Sequence, residues 1–317
     1  MPYPIKIKGE YKMAFTAKDV AELRKQTGCG MMDCKKALTD SNGDFEAAIK
    51  ILREKGMAAV AKKADRIAAE GIVDILTIGN TTAMIEVNSE TDFVAKNAVF
   101  QQFVKDLLKT VIVNKPQDVD ALMSCNIEGE DEGTVSDALA SKTGTIGEKL
   151  SIRRFVIIEG ITATYIHNKG ETGVIINFNT DLDAAAIAEC GKNVALQVAA
   201  MTVLYLNKES VPASVLEAEK EILVNQMKQD PKMANKPDAV LAKIVEGRVG
   251  KYYETNCLME QAYVKDDSMS VSKYVASVAK ELGGNITVTG YTRFDKGEGI
   301  QKREEDFGAE IAKMMKG

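Results

Sequence analysis

The sequence predicts an α+β fold, with antiparallel strands and helices to one side. Three observations lead there. Short amphipathic helices with capping and turn signals precede any strand-like run. Strand and helix patterns then follow in a similar rhythm through 67–180 and 181–297, without a close sequence repeat. A charge-rich helical pair at about 211–257 interrupts the second round.

Residues 1–12 have neither a helical pattern nor an export-type apolar core, and read as an expression leader. A three-helix module spans 13–66. Thr16 followed by Asp19 resembles a capping box, Val20 and Leu23 supply an apolar face, and Gly28 closes the first helix. The second helix runs from about Met31 to Thr39 and stops before the turn cluster Ser41-Asn42-Gly43. The third starts at Asp44, spaces Phe45, Ala48, Ile49 and Leu52 along one face, and is expected to end near Gly56. Ala58 to Ala69 reads as a linker helix. So small a bundle has a marginal core of its own.

The period changes at Gly71. Ile72 to Ile78 and Ala83 to Val87 read as strands joined by Gly79-Asn80. Thr91 to Asn97 looks like a helix start, and Phe100, Phe103, Val104, Leu107 and Val111 continue an amphipathic helix. Residues 114–150 read as a loop with helices, punctuated by Pro116, Asp118 and the acidic run from Glu128 to Glu132. Ile152 to Glu159, Ala163 to Ile166 and Gly173 to Phe178 are strand-like, with a turn at Asn168-Lys169-Gly170. An Ala-rich helix covers 182–206. Two helices within 214–256, separated by the polar stretch Gln229 to Pro237, place Val215, Ile222 and Leu223 against Val240, Leu241, Ile244 and Val245. Tyr274 to Leu282 reads as helix and Ile286 to Phe294 as strand. A C-terminal module at 298–317 holds a last short helix at 304–316.

Composition narrows the function. The 317 residues suggest about two domains at roughly 150 residues each. A net charge of −5 gives no global basicity for nucleic-acid binding. No apolar run approaches the ~18 residues of a membrane span. Five widely spaced cysteines with no CxxC fit a reducing cytoplasm. His167 is the lone histidine, so neither a metal site nor a cofactor of the chain's own is expected.

Several motifs have competing readings. Gly144 to Lys149 (GTIGEK) is too short for a phosphate loop, and Gly28-Cys29-Gly30 lacks the preceding strand, so it reads as a helix joint. Cys34 sits beside Lys35 and Lys36 but has no histidine near it in sequence. A buried structural thiol is favoured over a nucleophile. Met31 and Met32 are adjacent and cannot both face one core, so one is expected to pack and the other to be exposed. His167 at a strand–turn edge reads as a surface residue. Phe93 precedes Phe100 by seven residues, so periodicity alone favours a core-facing Phe93. Asp92 at a helix start needs no function beyond the helix dipole. The competing reading makes Phe93 a rigid aromatic anchor for a partner, with Asp92 supplying charge near the partner's cation.

Gly30-Met31-Met32-Asp33-Cys34-Lys35-Lys36-Ala37-Leu38 and Thr91-Asp92-Phe93-Val94-Ala95-Lys96-Asn97 together resemble the two hallmarks of the elongation factor Ts family. Ile152-Arg153-Arg154, Val245-Glu246-Gly247-Arg248 and Gly297-Glu298-Gly299-Ile300 extend the resemblance, in order, from about Met13 to the C-terminus. The resemblance implies a guanine-nucleotide exchange factor for elongation factor Tu in the cytoplasm, with no enzyme chemistry and no direct nucleic-acid or membrane partner. It implies an N-terminal three-helix module like ubiquitin-associated domains, a core of two subdomains with antiparallel sheets, a helical-hairpin insertion and a C-terminal helical module. Thr91, Asp92, Phe93 and Val94 would enter elongation factor Tu near its Mg²⁺ and GDP. Met31 and Met32 would dock on its GTPase domain. The family's Ile-Gly pair stands here as Thr172-Gly173, which implies a backbone contact at Gly173. Where the family often has His-Val-Ala-Ala, this chain has Gln197-Val198-Ala199-Ala200; Gln197 forms hydrogen bonds but carries no charge. Some members use the helical hairpin for dimer contacts, so a homodimer or 2:2 complex is an expectation. The rival readings are a GTPase scaffold or chaperone without exchange activity, and an enzyme using Cys34.

Overall fold

The computed structural model describes residues 15–27, 29–129, 133–229 and 236–301. The expected leader, the role of Gly28 and the last helix at 304–316 lie outside the described residues, as do parts of the acidic run and of the polar stretch between the hairpin helices. By contacts the chain divides into two units. Of the described residues, one holds those up to Leu76, those within Ala83–Ile157 and those from Lys296; the other holds Thr77–Thr82 and those within Ile158–Asp295.

In the first unit, α1 (Ala17–Thr27), α2 (Met31–Asp40) and α3 (Phe45–Lys63) pack around Leu23, Cys34, Ala37, Leu38 and Ala48. The expected cap is present: the Asp19 carboxylate accepts from the Thr16 amide at 2.6 Å, and the Asp19 amide donates to Thr16 Oγ1 at 3.4 Å. Asp44 caps α3 by accepting from the Ala47 amide at 3.0 Å. The expected helix end near Gly56 is not observed, since α3 runs on to Lys63. Gly56 is the point of closest approach to α7 (Val135–Ile146): a Cβ there would stand 3.0 Å from the Ala140 backbone. Glycine is needed there for the helix crossing, not for chain reversal, and packing overrides its low helix propensity.

The sheet of this unit has the order β1 (Glu70–Ile78), β2 (Thr81–Ser89), β3 (Ser151–Glu159). Central β2 is buried along nearly its whole length. After the single-turn α4 (Asp92–Ala95), α5 (Ala98–Asn114) sets Phe100, Phe103, Val104, Leu107, Leu108 and Val111 into the core. α6 (Val119–Ser124) and α7 complete this layer.

Glu86 on β2 is fully buried and gathers two sequence-distant motifs. Its Oε1 accepts from Arg153 Nη1 at 2.9 Å, the Gly297 amide at 2.8 Å and Asn88 Nδ2 at 3.1 Å; its Oε2 accepts from Arg154 Nε at 2.7 Å. Arg154 also pairs with Glu298 at 2.9 Å, and Lys296 with Glu70 at 2.6 Å. Gly297 has φ +68°, and a Cβ there would fall 2.3 Å from the Ala69 carbonyl oxygen, so no other residue fits. Burial by itself would push the Glu86 carboxyl up. The Gly297 amide, Arg153, Asn88 and Arg154 outweigh it and hold the group below the ordinary 4.5.

In the second unit β4 (Ile161–His167), β5 (Thr172–Thr180) and β8 (Ile286–Asp295) form an antiparallel sheet with β5 central. Strands β4 and β5, which the sequence rhythm groups with the first round, thus lie with β8. Against them α8 (Ala188–Ala200) buries Cys190, Val194, Ala195 and Val198. This helix is shorter at both ends than the expected 182–206, because the chain turns before Ala188 and is extended from Met201. The hairpin is α9 (Ala213–Gln229) and α10 (Asp238–Asn256), with its seam at Leu223, Met227, Val245 and Val249. Of the expected seam residues Leu223, Leu241, Ile244 and Val245 pack there, while Ile222 and Val240 are exposed. The small ribbon β6 (Ala262–Tyr263) and β7 (Asp266–Ser270), too short to register as a pattern, leads into α11 (Val271–Leu282). No helix among the described residues is long and apolar enough to cross a membrane.

Replacing Glu86 with Gln removes the buried charge that faces Arg153 and Arg154, of which Arg154 keeps Glu298, and is expected to cost about 3 kcal/mol in urea unfolding at neutral pH. Because its folded pKa is depressed, the carboxylate's contribution is full above 4.5 and is lost as pH falls through the lower folded value. The stability difference between wild type and Glu86→Gln should therefore shrink on acidification.

Candidate functional site

The segment after β2 is built to project. Ser89 Oγ donates to the Thr91 carbonyl at 3.0 Å, and Thr91 caps α4 by accepting from the Val94 amide at 3.4 Å. The helix lasts one turn: the Lys96 amide closes onto the carbonyls of Asp92 and Phe93, each at 3.2 Å. Asn97 then starts a new helix, its side chain accepting from the Val99 amide at 2.8 Å. A seven-residue spacing shares a face only within one continuous helix. The break at Lys96-Asn97 removes that condition, so Phe93 is not core-facing. It is 80% exposed while Phe100 is fully buried. Val94 and Ala95 point inward and anchor the turn. Leaving a phenylalanine in water forgoes about 2 kcal/mol of burial.

Asp92 lies beside Phe93 and accepts from Lys96 Nζ at 2.6 Å. That hydrogen bond and the ammonium charge hold the Asp92 carboxyl below its ordinary value and the Lys96 ammonium above its own. Both side chains are well exposed, so solvent screens the pair and it contributes little to stability. Asp92 stays anionic at neutral pH.

The turn is braced from a distant part of the chain. Glu148 Oε2 accepts from the amides of Glu90 at 3.1 Å and Thr91 at 3.0 Å, and Glu148 Oε1 accepts from Thr91 Oγ1 at 2.7 Å. Glu90 in turn accepts from the Lys149 amide at 2.5 Å and from Arg66 at 3.2 Å. Lys149 Nζ donates to the carbonyls of Ala64 at 2.6 Å and Arg66 at 2.9 Å. Sequence reasoning considers this Gly147-Glu148-Lys149 stretch only as a phosphate loop. No local pattern links it to a turn 57 residues away.

Both methionines of α2 are exposed, Met31 by 43% and Met32 by 74%; the expectation that one of them packs is corrected. The buried face of α2 is Cys34, Ala37 and Leu38. At 100° per residue Met32 lies opposite that face and Met31 at its edge. Gly173 is buried on β5 between Ile166 and Phe294. Gln197 is fully buried: Nε2 donates to Gln261 Oε1 and the Ala262 carbonyl, each at 3.1 Å, and Oε1 accepts from the Val264 amide at 2.7 Å. In this structure both residues do internal work.

Cys34 is fully buried, and burial pushes its thiol up, the reverse of what a nucleophile needs. His167 is exposed, with its ring near Tyr165. Among the described residues no group of three or more His, Cys, Asp or Glu could hold a metal ion. What the first unit offers is a fixed backbone turn presenting an aromatic and a carboxylate.

The sequence model of the family described as Elongation factor TS matches residues 90–298. The chain is 45% identical to the elongation factor Ts of Syntrophotalea carbinolica over 96% of its own length and 100% of that protein. It is 44% identical to the elongation factor Ts of Clostridium kluyveri over 95% of its length and 99% of that protein. It is 45% identical to the elongation factor Ts of Magnetococcus marinus over 96% of its length and 100% of that protein.

Exposure at position 93 has a direct stability test. Phe93→Ala should change the unfolding free energy by no more than about 0.5 kcal/mol, whereas Phe100→Ala should cost about 3 to 5 kcal/mol, both measured by denaturant titration.

Proposed function

The chain belongs to the elongation factor Ts family, and on that premise we propose that it is a guanine-nucleotide exchange factor in translation elongation. It binds elongation factor Tu carrying GDP, perturbs the Mg²⁺ and phosphate site, and promotes exchange of GDP for GTP. The observation that supports this most is the braced turn presenting an exposed Phe93 beside an anionic Asp92.

The physics needs no covalent step. In a GTPase the metal neutralises phosphate charge, so metal and nucleotide hold each other. Phe93 is the wedge, a rigid aromatic with little rotamer entropy to lose. Asp92 exchanges its Lys96 contact for the partner's cation site and weakens the metal's hold. Thr91 caps the turn and Val94 anchors it. Met31 and Met32 form an adaptable contact on the GTPase domain. Gly173 and Gln197 act indirectly in the second unit, Gln197 by fixing the backbone at exposed Val264. By linkage, a factor that weakens GDP binding is itself weakened equally by GDP. A ten-thousand-fold effect corresponds to about 5.5 kcal/mol of differential binding, within reach of an interface spread over several modules. The exposed Ile222 and Val240 on the hairpin suit a homodimer or 2:2 complex.

The expected result for Asp92→Ala combined with Phe93→Ala is a loss of at least about tenfold in stimulated release of labelled GDP from elongation factor Tu, equivalent to about 1.4 kcal/mol. Undiminished release would remove the role of the pair. A scaffold without exchange activity would instead bind the partner while the wild-type protein leaves release unaccelerated.

A further inference from the structure

We propose that Glu148 is a positioning residue for nucleotide exchange, holding the Asp92-Phe93 turn in its projecting conformation through the Glu90 and Thr91 backbone; this rests on the exchange function proposed above. A helix of one turn cannot hold itself. Its nucleation is unfavourable, and its first amides have no partner within the helix. Thr91 satisfies one of them, at 3.4 Å.

The Glu148 carboxylate supplies what is missing. One oxygen takes both amides at the end of β2, at 3.1 and 3.0 Å, which fixes the direction in which the chain leaves the sheet. The other oxygen accepts the Thr91 hydroxyl proton at 2.7 Å, so that the Thr91 lone pairs are turned toward the Val94 amide. Glu148 is itself well held. It follows the end of α7, where the Gly147 amide bonds the Thr143 carbonyl at 3.1 Å, and it precedes buried Leu150. Glu90 returns the contact by accepting from the Lys149 amide at 2.5 Å. Two glutamates, each accepting backbone amides from the other's segment, lock the turn against α7.

Position matters because an aromatic anchor contributes binding energy in proportion to how little ordering it still requires. The role needs acceptor geometry and not charge. In Glu148→Gln the amide oxygen can take both backbone amides, and the Thr91 hydroxyl can reverse to accept from the new NH₂ group. Alanine can do neither.

The test compares four full-length proteins, wild type, Glu148→Ala, Glu148→Gln and Phe93→Ala, with the double variant Glu148→Ala/Phe93→Ala. The readouts are labelled-GDP release from elongation factor Tu and amide hydrogen exchange of the free proteins over 88–97. Glu148→Ala is expected to lower kcat/KM for release by about tenfold and to speed amide exchange in that segment, with Glu148→Gln within about twofold of wild type. In the Phe93→Ala background, where only Asp92 still depends on the brace, Glu148→Ala should cost clearly less than it does in wild type. An impaired Phe93→Ala with a silent Glu148→Ala, or with losses that simply multiply, overturns this proposal alone. A silent Phe93→Ala overturns the anchoring role of Phe93 and this proposal with it, while the role of Asp92 still rests on the double variant Asp92→Ala/Phe93→Ala. Should Glu148→Ala fail to fold, Thr91→Val replaces it: unchanged exchange protection and release in that variant overturn the proposal, and a loss of both supports it.

Discussion

The hydrogen bonds that Glu148 accepts from the Glu90 and Thr91 amides join the end of β2 to the end of α7, and the exposure of Phe93 depends on that join. A free chain leaving a strand would find lower free energy by folding its aromatic inward, since burial of a phenylalanine is worth about 2 kcal/mol. Here that path is closed. Val94 and Ala95 occupy the core side of the turn, Asn97 restarts the helix in a new direction, and the amides before the turn are already committed. The structure holds an apolar ring in water with ordinary hydrogen bonds and no strained backbone at that residue.

The sheet behind the turn has its own constraint. Glu86 is buried in the central strand and would be costly there without partners. Arg153 and Arg154 come from β3, and the Gly297 amide comes from the segment after β8. One carboxylate therefore ties the sheet to the returning chain. The same strand carries Glu86 to the core and ends at the projecting turn, so the stability of the sheet and the placement of Phe93 share a scaffold.

The Cys34 thiol is buried and held protonated, and among the described residues no metal-binding cluster occurs. A protein that works by changing another protein's affinity for a ligand needs complementary surface in the right conformation. Met31, Met32 and Phe93 are exposed on one unit, and under the proposed function they would supply that surface.

Sequence by itself was sufficient for the α+β class, the capping box at Thr16, the three short helices and the family motifs, because each rests on local spacing or on contiguous residues. It also marked Asp92 and Phe93, though periodicity pointed Phe93 the wrong way: a period carries no information about where a helix stops, and this one closes at Lys96 before Asn97 starts the next. Gly56 looked like a terminator for the same reason, since a glycine for close packing and a glycine for chain reversal read alike. In the hairpin Leu223, Leu241, Ile244 and Val245 were placed in the seam correctly and Ile222 and Val240 were not, because two apolar residues in a row leave the face undecided. Only the tertiary structure brought Glu148 to Thr91, Glu86 to Gly297, and Gln197 into the buried amide pair with Gln261. Those contacts join residues tens to hundreds of positions apart, and hydrogen-bond partners at such separations follow from how the elements pack, which no local pattern records.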